Sequence, residues 1–109
     1  MASQPDCLFC KLVREGEHVN AADGFVAIED INPKATVHLL VLPERHIDTF
    51  RDISEFESDE AKRMLEFVAD TAQKAGLEDY QVVVNVGPGA GQTVFHLHWH
   101  VLGGGRPFE

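Results

Sequence analysis

The stretch Phe95-His96-Leu97-His98-Trp99-His100-Val101-Leu102 alternates apolar and imidazole side chains from Phe95 to Val101. A period of two is the period of a β-strand, so the alternation predicts a strand from Val94 to Leu102. On such a strand the three histidines project from one face at a spacing of about 7 Å, and the apolar residues pack on the other face. The stretch therefore predicts a row of three imidazoles on one side of a sheet.

These imidazoles need polar partners, because a buried nitrogen without a hydrogen bond costs roughly 1–3 kcal/mol. The face must meet solvent, a metal, a ligand or a polar network. A strand side that simply faces water is one interpretation. Among functional interpretations, three histidines could hold a catalytic metal that keeps an open water position, or one histidine could be a nucleophile held by the others.

A glycine-rich segment, Gly87-Pro88-Gly89-Ala90-Gly91, comes shortly before this strand. Glycine permits positive φ and close backbone approach, so the N–H groups of Gly91, Gln92 and Thr93 could form a nest for an anion. A glycine-rich hairpin by itself is often only a turn. Beside three imidazoles, we interpret it as a phosphate site.

Upstream periodicities predict the first elements of the fold. Apolar residues at positions 8, 9, 12 and 13 predict a short helix that ends at Gly16. The turn at Asp23-Gly24 predicts a hairpin between residues 19–21 and a strand that begins at position 25. The apolar run from Val37 to Leu42, interrupted only by a histidine, predicts a strand that is buried on much of both faces.

One long amphipathic helix is predicted from Ser58 to Ala75, where Ser58-Asp59-Glu60 resembles an N-cap with an acidic first turn and Gly76 follows the C-cap. A further β-rich run extends from Gln81 to Val86. The predicted order is αβββαββ. It indicates an α+β fold with a mainly antiparallel five-stranded sheet, one long helix and a short N-terminal helix.

Length, composition and charge limit the possible functions. The 109 residues, 44% of them hydrophobic and 25% charged, predict one domain over residues 1–109. A net charge of −9 disfavours broad nucleic-acid binding, although a small phosphorylated ligand remains compatible with it. No apolar run approaches the roughly 20 residues of a membrane span, and Met1 to Asp6 lack an export signal. With only the pair Cys7 and Cys10, these features predict a cytoplasmic protein with no membrane partner.

Together these segments resemble the histidine-triad (HIT) superfamily, whose signature is H-x-H-x-H followed by apolar residues. The ending His100-Val101-Leu102-Gly103-Gly104 resembles the nucleoside phosphoramidase (Hint-like) branch more than the dinucleoside polyphosphate hydrolase (Fhit-like) branch, which usually carries Pro-Arg there. The resemblance also covers the segments Asp6–Gly16, Asp30–Pro33, His38–His46, Val84–Gly87 and Gly91–Val94.

The resemblance implies an enzyme that binds a purine nucleotide, commonly as a homodimer. It would cleave a bond at the α-phosphate of a nucleoside 5′-monophosphate derivative such as an AMP conjugate. A phosphoramidate is the leading candidate. His98 would be the nucleophile, forming a covalent nucleotidyl-histidine that water then hydrolyses without a metal. His100 and His38 would complete the polar network and help to bind the phosphate oxygens.

The resemblance also assigns nucleotide contacts. Asp30 would accept hydrogen bonds from the ribose hydroxyls, and Ile31 and Phe25 could flank the base. The alternatives are that Asp30 caps its own turn and that the two apolar residues are core. The residues assigned to the phosphate and the leaving-group side are Asn85, Gly91, Gln92 and Thr93, beside His98 and His100.

The C-x-x-C at Cys7 and Cys10 could be a redox pair, half of a zinc site or two buried small residues. Residues 1–6 offer no strand for a thioredoxin-like context, which disfavours the redox pair. HIT proteins that keep this motif pair it with a histidine after the Pro-x-x segment and with the first histidine of the triad. The resemblance thus implies a closed structural Zn²⁺ site formed by Cys7, Cys10, His46 and His96, which would orient His98.

Other functions remain open. Within the superfamily, the leaving group could make the chain a dinucleoside polyphosphate hydrolase or a nucleotidylyltransferase. A nucleotide-binding or interaction module with little turnover would keep Asp30 and the glycine loop but would not depend on His98. A metal-dependent hydrolase would use His96, His98 and His100 as ligands, and a chelator would abolish its activity.

Overall fold

The computed structural model of the protein describes residues 7–104. The predicted order of helices and strands is confirmed, with two short 3₁₀ turns added at Phe50–Glu55 and Pro88–Ala90. The expectations about residues 1–6 and about the last five residues lie outside the described part of the chain. The main elements are α1 (Leu8–Glu15), β1 (Asn20–Ala22), β2 (Phe25–Glu29), β3 (Val37–Pro43), α2 (Glu60–Lys74), β4 (Tyr80–Val83) and β5 (Trp99–Gly103).

The five strands form one antiparallel sheet in the order β1-β2-β3-β5-β4, which confirms the α+β prediction. The central strand β3 pairs with β2 on one side and with β5 on the other. Leu40 of β3 shows the register of the three central strands, because it lies opposite Ile28 of β2 and also opposite His100 of β5. His38 of β3 and His100 of β5 are therefore neighbours at the centre of the sheet.

Each face of the sheet carries its own core. Helix α2 covers one face, where Leu39, Val41, Trp99 and Val101 pack with Met64, Phe67 and Val68. The other face meets α1, where Phe9 packs with Val26, Ile28, Leu40 and Leu42. Since alternate residues of β3 serve opposite cores, its apolar run is explained. Among residues 7–104, no helix is long and apolar enough to cross a membrane.

The boundaries of α2 lie inside the predicted ones, and its start is stabilised differently from the expected N-cap. Asp59 occupies the N-cap position without a side-chain capping bond. Instead, the carboxylate of Glu60 accepts a hydrogen bond from the Glu57 N–H, at 2.8 Å, and from the guanidinium of Arg45. At the other end, Gly76 has a φ of +79°, as its predicted position after the helix requires.

The predicted strand over residues 94–102 is wrong in its first half, because β5 begins only at Trp99. Beyond the pair Val41↔Trp99, the adjacent strand β3 ends at Pro43, which has no N–H to donate. The Leu97 N–H donates instead to the carbonyl of Ile47, at 2.6 Å. Residues 94–98 therefore leave the sheet.

Candidate active site and metal cluster

His98 lies immediately before β5, and its tautomer follows from one hydrogen bond. Its Nδ1 lies 2.8 Å from the carbonyl oxygen of His96, which can only accept, so Nδ1 carries the proton. Nε2 is then left with its lone pair. Burial lowers the pKa of His98 below its ordinary value, so the ring is neutral at pH 7. A neutral imidazole with a free Nε2 can attack an electrophile.

His38 and His100 form a second linked pair. The backbone N–H of Lys34 donates to His38 Nδ1, at 3.0 Å, so the proton of His38 is on Nε2. That Nε2 donates to His100 Nδ1, at 2.9 Å, and lies 3.4 Å from a carboxylate oxygen of Asp30. His100 consequently carries its proton on Nε2. Burial, followed by the neighbouring imidazoles His98 and His38, lowers the pKa of His100 to about 4.

The structure places His38, His100 and His98 in a row, whereas the sequence predicted a row of His96, His98 and His100. The ring centroids of His98 and His100 lie 5.0 Å apart, and those of His100 and His38 lie 5.1 Å apart. His96 instead turns towards His46, with ring centroids 5.1 Å apart. The bend that ends strand pairing before Trp99 causes this change. The row offers one lone pair, on His98, beside one N–H donor, on His100.

A cleft of about 470 Å³, within the size range of ligand pockets, is lined by His38 and His100 of this row but not by His98. Asp30 and His38 line one part of it. Other residues that line it and that the sequence assigned to the nucleotide are Asn85, Gly91, Thr93 and His100. The fold thus brings six of the assigned residues to one cavity.

The glycine loop is folded more tightly on itself than a three-amide nest would require. Gly91 has a φ of +93°, which explains glycine there, but its N–H donates to Pro88 and the N–H of Gln92 donates to Gly87. Among residues 7–104, the Thr93 N–H is the one amide of the three without such a bond. Of the three N–H groups predicted to bind an anion, that of Thr93 is therefore the one left to do so.

The side chain of Gln92 braces this loop. It is 3% exposed, its oxygen accepts from the Gly87 N–H, and its NH₂ group donates to the carbonyls of Asp48 and Val94. In the same loop, Asn85 Nδ2 donates to the carbonyl of Ala90, at 2.9 Å. Because its polar atoms are used in these bonds, Gln92 shapes the loop from inside.

The two residues suggested for the base lie in different environments. Ile31 is 90% exposed at the turn that follows β2. Phe25 is 1% exposed and contacts Phe67 in the core under α2, so core packing is its role and the suggested base contact is wrong. Asp30 fits both the turn cap and the ribose contact that the sequence offered for it. It accepts a hydrogen bond from the Asn32 N–H, at 2.8 Å, and it also lines the cleft.

Cys7, Cys10, His46 and His96 form a cluster whose four ligand atoms all lie within 4.8 Å of one another. Cys7 Sγ lies 3.4 Å from His96 Nδ1, and Cys10 Sγ lies 3.4 Å from His46 Nδ1. The elements that contribute are distant in sequence: the start of α1, the segment after β3 and the bend before β5. These four residues could hold a metal ion.

The protonation pattern of the cluster fits a metal. His96 Nε2 donates to the carbonyl of Pro43, at 2.8 Å, and His46 Nε2 donates to the carboxylate of Asp48. Both Nδ1 atoms therefore present lone pairs to the cysteines, and a ligand histidine typically has such an outer partner. Two thiolates and two imidazoles are the donor set of a tetrahedral structural zinc site.

Neither alternative metal site fits equally well. Asp30, His38 and His100 also bring ligand atoms within 4.8 Å of one another. However, His38 Nε2 must keep its proton while Nδ1 accepts from the Lys34 backbone, so it has no lone pair for a metal. A site made of His96, His98 and His100 is not formed among the described residues, because His96 turns to the cysteines.

A family model described as the HIT domain matches residues 12–106 of the chain. The chain belongs to the HIT family. It is 34% identical over 102 residues to the protein HitA of Neisseria gonorrhoeae, with 90% of this chain and 95% of that protein covered.

Solved structures of HIT proteins support the same assignment. A HIT family hydrolase from Legionella pneumophila superposes with a TM-score of 0.84 at 37% identity, covering 94% of this chain and 95% of that one. A histidine triad protein from Clostridium difficile superposes with a TM-score of 0.88 at 32% identity, covering 98% and 97%. The cleft therefore lies in a HIT fold, and the proteins that share this fold include hydrolases and nucleotide-binding proteins.

Two contacts of the HIT site were missed in the sequence. Asp48, which bonds to His46, could have been found from the spacing His46-Ile47-Asp48, since a carboxylate two residues from a ligand histidine is well placed to be its outer partner. Phe9 packs edge-on against the His98 ring, with centroids 4.8 Å apart. Its place in an apolar helical stripe gave no signal of this contact.

Proposed function

We propose that this chain hydrolyses a purine nucleoside 5′-phosphoramidate, such as an AMP conjugate, through a nucleotidyl intermediate on His98. The observation that supports it is the hydrogen bond from His98 Nδ1 to the His96 carbonyl, which leaves Nε2 unprotonated. The neighbouring His100 supplies a donor of the kind that a phosphate oxygen needs.

The proposed reaction has two displacements. His98 Nε2 attacks the α-phosphorus as the P–N bond to the leaving amine breaks, and the amine leaves with a proton taken up from solvent. Water then attacks the same phosphorus and releases one proton to solvent as the bond to Nε2 breaks, and the products are a nucleoside monophosphate and the neutral imidazole. Splitting the reaction in this way replaces one difficult step by two easier ones.

The cleft supplies contacts for the rest of the nucleotide. The carboxylate of Asp30 can accept both ribose hydroxyls, and the Nε2–H of His100 and the N–H of Thr93 can donate to phosphate oxygens. Gly91 permits close approach of the backbone, and Asn85 lies at the side of the leaving group. Ile31, which is exposed at the turn after β2, offers apolar surface to a purine.

The cysteine and histidine cluster would hold a structural Zn²⁺. With four protein ligands the ion keeps no open position, so it would contribute stability rather than a reacting water. A cavity of about 400 Å³ beside Cys7, His46 and Asp48 offers a path of entry. Cysteines that serve as thiolate ligands must stay reduced, which suits a reducing compartment, and we propose the cytoplasm.

We also propose a single domain over residues 1–109 that forms a homodimer. Among residues 7–104, no strand covers the outer edge of β4, where Val82 and Val83 are 44% and 38% exposed. An open edge with apolar side chains is a surface that a second copy can pair with. Size measurement in solution tests this state.

The deciding experiment is turnover of adenosine 5′-phosphoramidate by the wild type and by His98→Ala after a brief chelator soak. We expect the wild type to remain active and the variant to lose activity by a factor of about 10³ or more. A wild type that is inactive overturns the assignment, and tight AMP binding without turnover indicates a binding module. Faster cleavage of a dinucleoside polyphosphate would move the chain to that branch.

A further inference from the structure

One end of the cleft has no part in the reaction described so far. Leu102 lies at this end, opposite His38 of β3 and opposite Gln81 of β4. It is two residues along β5 from His100, a separation of about 7 Å on a strand. We call this end of the cleft the distal subsite; its lining residues are Lys34, Gln81, Val83 and Leu102.

The leaving amine of the proposed reaction would lie in the direction of the distal subsite. In a displacement at phosphorus the attacking and leaving atoms lie roughly in line, so the amine is on the side of phosphorus away from His98. His98 does not line the cleft, whereas His100 does, and the two ring centroids are 5.0 Å apart. A phosphate bound at His100 would therefore turn its leaving group into the cleft.

Lys34 carries the one positive charge among the described residues that line the cleft. Its ammonium forms no ion pair with any residue between 7 and 104. It lies near the imidazoles, because its charge adds to burial in lowering the pKa of His38, against the opposing effect of Asp30. The ammonium is thus free to meet an anion in the cleft, although the net charge of the protein is −9.

The other groups of the distal subsite suit an anion that is joined to a small carbon skeleton. The side-chain amide of Gln81 can donate a hydrogen bond to a carboxylate. Leu102 and Val83 contribute apolar side chains, which are 9% and 38% exposed. A polyphosphate chain has several charges and no apolar part, so a single ammonium beside two apolar residues matches it poorly. A monocarboxylate with a few carbon atoms matches it better.

We propose that the distal subsite selects phosphoramidates whose leaving group is an amino acid bonded through its α-amine, and that Lys34 binds the free α-carboxylate. This inference rests on the proposed function, because it specifies the leaving group of that reaction. Hydrolysis follows the two displacements described above and releases a nucleoside monophosphate and the intact amino acid. The carboxylate is separated from the leaving nitrogen by one carbon atom, so it lies beside the reacting phosphorus rather than near the base.

The first test measures kcat/KM for AMP joined to alanine and for AMP joined to alaninamide, which lacks the carboxylate charge. The two amines differ in basicity, so the readout is the change in this ratio between variants. For Lys34→Gln we expect the ratio of the alanine conjugate to the alaninamide conjugate to fall about fivefold, the upper range for an exposed ion pair. Lys34→Glu should lower it further. Any effect of these variants on the imidazoles is common to both substrates and cancels in the ratio.

The matched control is Lys62→Gln, which removes the same charge from α2 on the other face of the sheet. It should leave the ratio of the two conjugates at the wild-type value. An equal fall in this control would show a long-range effect of net charge and would overturn the role of Lys34.

The second test measures binding and needs no turnover. In a His98→Ala background, calorimetric titration should show that Lys34→Gln raises the Kd of the alanine conjugate about fivefold relative to that of the alaninamide conjugate. Gln81→Lys, which adds a second cation to the distal subsite, should lower the Kd of the alanine conjugate.

The outcomes separate this inference from the proposed function. A wild type that binds both conjugates but cleaves neither contradicts the proposed function, and the two Kd values then decide the distal subsite alone. Ratios of kcat/KM and of Kd that Lys34→Gln leaves unchanged overturn the inference, as does a failure of the alanine conjugate to bind. A larger dependence on Lys34 for ADP, with inorganic phosphate as the leaving group, would assign the subsite to a phosphate chain and overturn the choice of an amino acid.

Discussion

At the scale of the residue, the protonation of the imidazoles is set by backbone atoms. The carbonyl of His96 directs the proton of His98 to Nδ1, and the N–H of Lys34 directs that of His38 to Nε2. Because His38 Nε2 donates to His100 Nδ1, the proton of His100 is on Nε2, which can donate a hydrogen bond. Spacing in the sequence predicted a row of His96, His98 and His100, whereas His38 takes the place of His96 in the structure, because the alternation does not show where the strand ends.

The pH dependence of activity should reflect the neutral state of His98. Protonation of Nε2 removes the proposed nucleophile, and burial lowers the pKa of this histidine below its ordinary value of 6.5. We therefore expect kcat/KM to decline at low pH, with its half-maximal value below pH 6.5. A profile of the wild type checks this, and a half-maximal rate at or above pH 6.5 would contradict it.

Asp30 should control recognition of the ribose. Asp30→Ala removes an acceptor for the hydroxyls, and we expect KM for the adenosine substrate to rise about tenfold, the scale of a hydrogen bond to a charged group. A 2′,3′-dideoxy substrate provides the control, because its KM should be high with the wild type and should change little in the variant. Equal increases for both substrates would show a role other than ribose binding.

At the scale of the element, chain order was easier to predict than the ends of elements. Helix α2 and the paired strands follow from local periodicity, which is why their order is confirmed. The early end of pairing at Trp99 depends on Pro43 and on the carbonyl of Ile47, about fifty residues away. The four residues Cys7, Cys10, His46 and His96 were named from the sequence and lie together. The same bend separates His96 from His98 and His100, which the alternation did not predict.

The start of α2 depends on a buried carboxylate. The guanidinium of Arg45 beside Glu60 lowers the pKa of that carboxyl below its ordinary 4.5, and its oxygen also accepts from the Glu57 N–H. We expect Glu60→Gln to lower the free energy of unfolding by about 1–3 kcal/mol at pH 7. Urea denaturation measures the change.

The control for this variant is Glu66→Gln, which breaks an exposed ion pair with Lys62 and should cost under about 0.5 kcal/mol. A carboxyl with a lowered folded-state pKa contributes stability above its unfolded pKa, and that contribution is lost as the pH falls through the folded value. The difference between wild type and Glu60→Gln should accordingly shrink below about pH 4.5. A difference that is independent of pH would exclude the ion pair as its source.

At the scale of the whole molecule, the cluster of Cys7, Cys10, His46 and His96 connects parts of the chain that the sheet does not. It joins the first turn of α1, the segment after β3 and the bend before β5. His46→Gln should abolish the binding of one Zn²⁺ per chain and lower Tm by about 4–8 °C for each kcal/mol lost. Metal analysis and thermal unfolding check this.

His18→Gln is the matched control for that variant, since His18 is exposed and bonds to the carbonyl of Leu12. It should keep both the zinc and the Tm of the wild type. Full zinc occupancy in His46→Gln would remove His46 from the ligand set.

Strand β3 has neighbours on both edges and a core on both faces, so its amides should be the last to exchange in deuterium oxide. Residues 94–98, which lie outside the ladder, should exchange through smaller openings. His98, the proposed nucleophile, would then belong to a separate cooperative unit from the strand that carries His38. Local unfolding of residues 94–98 would therefore abolish the proposed activity while the rest of the protein stays native.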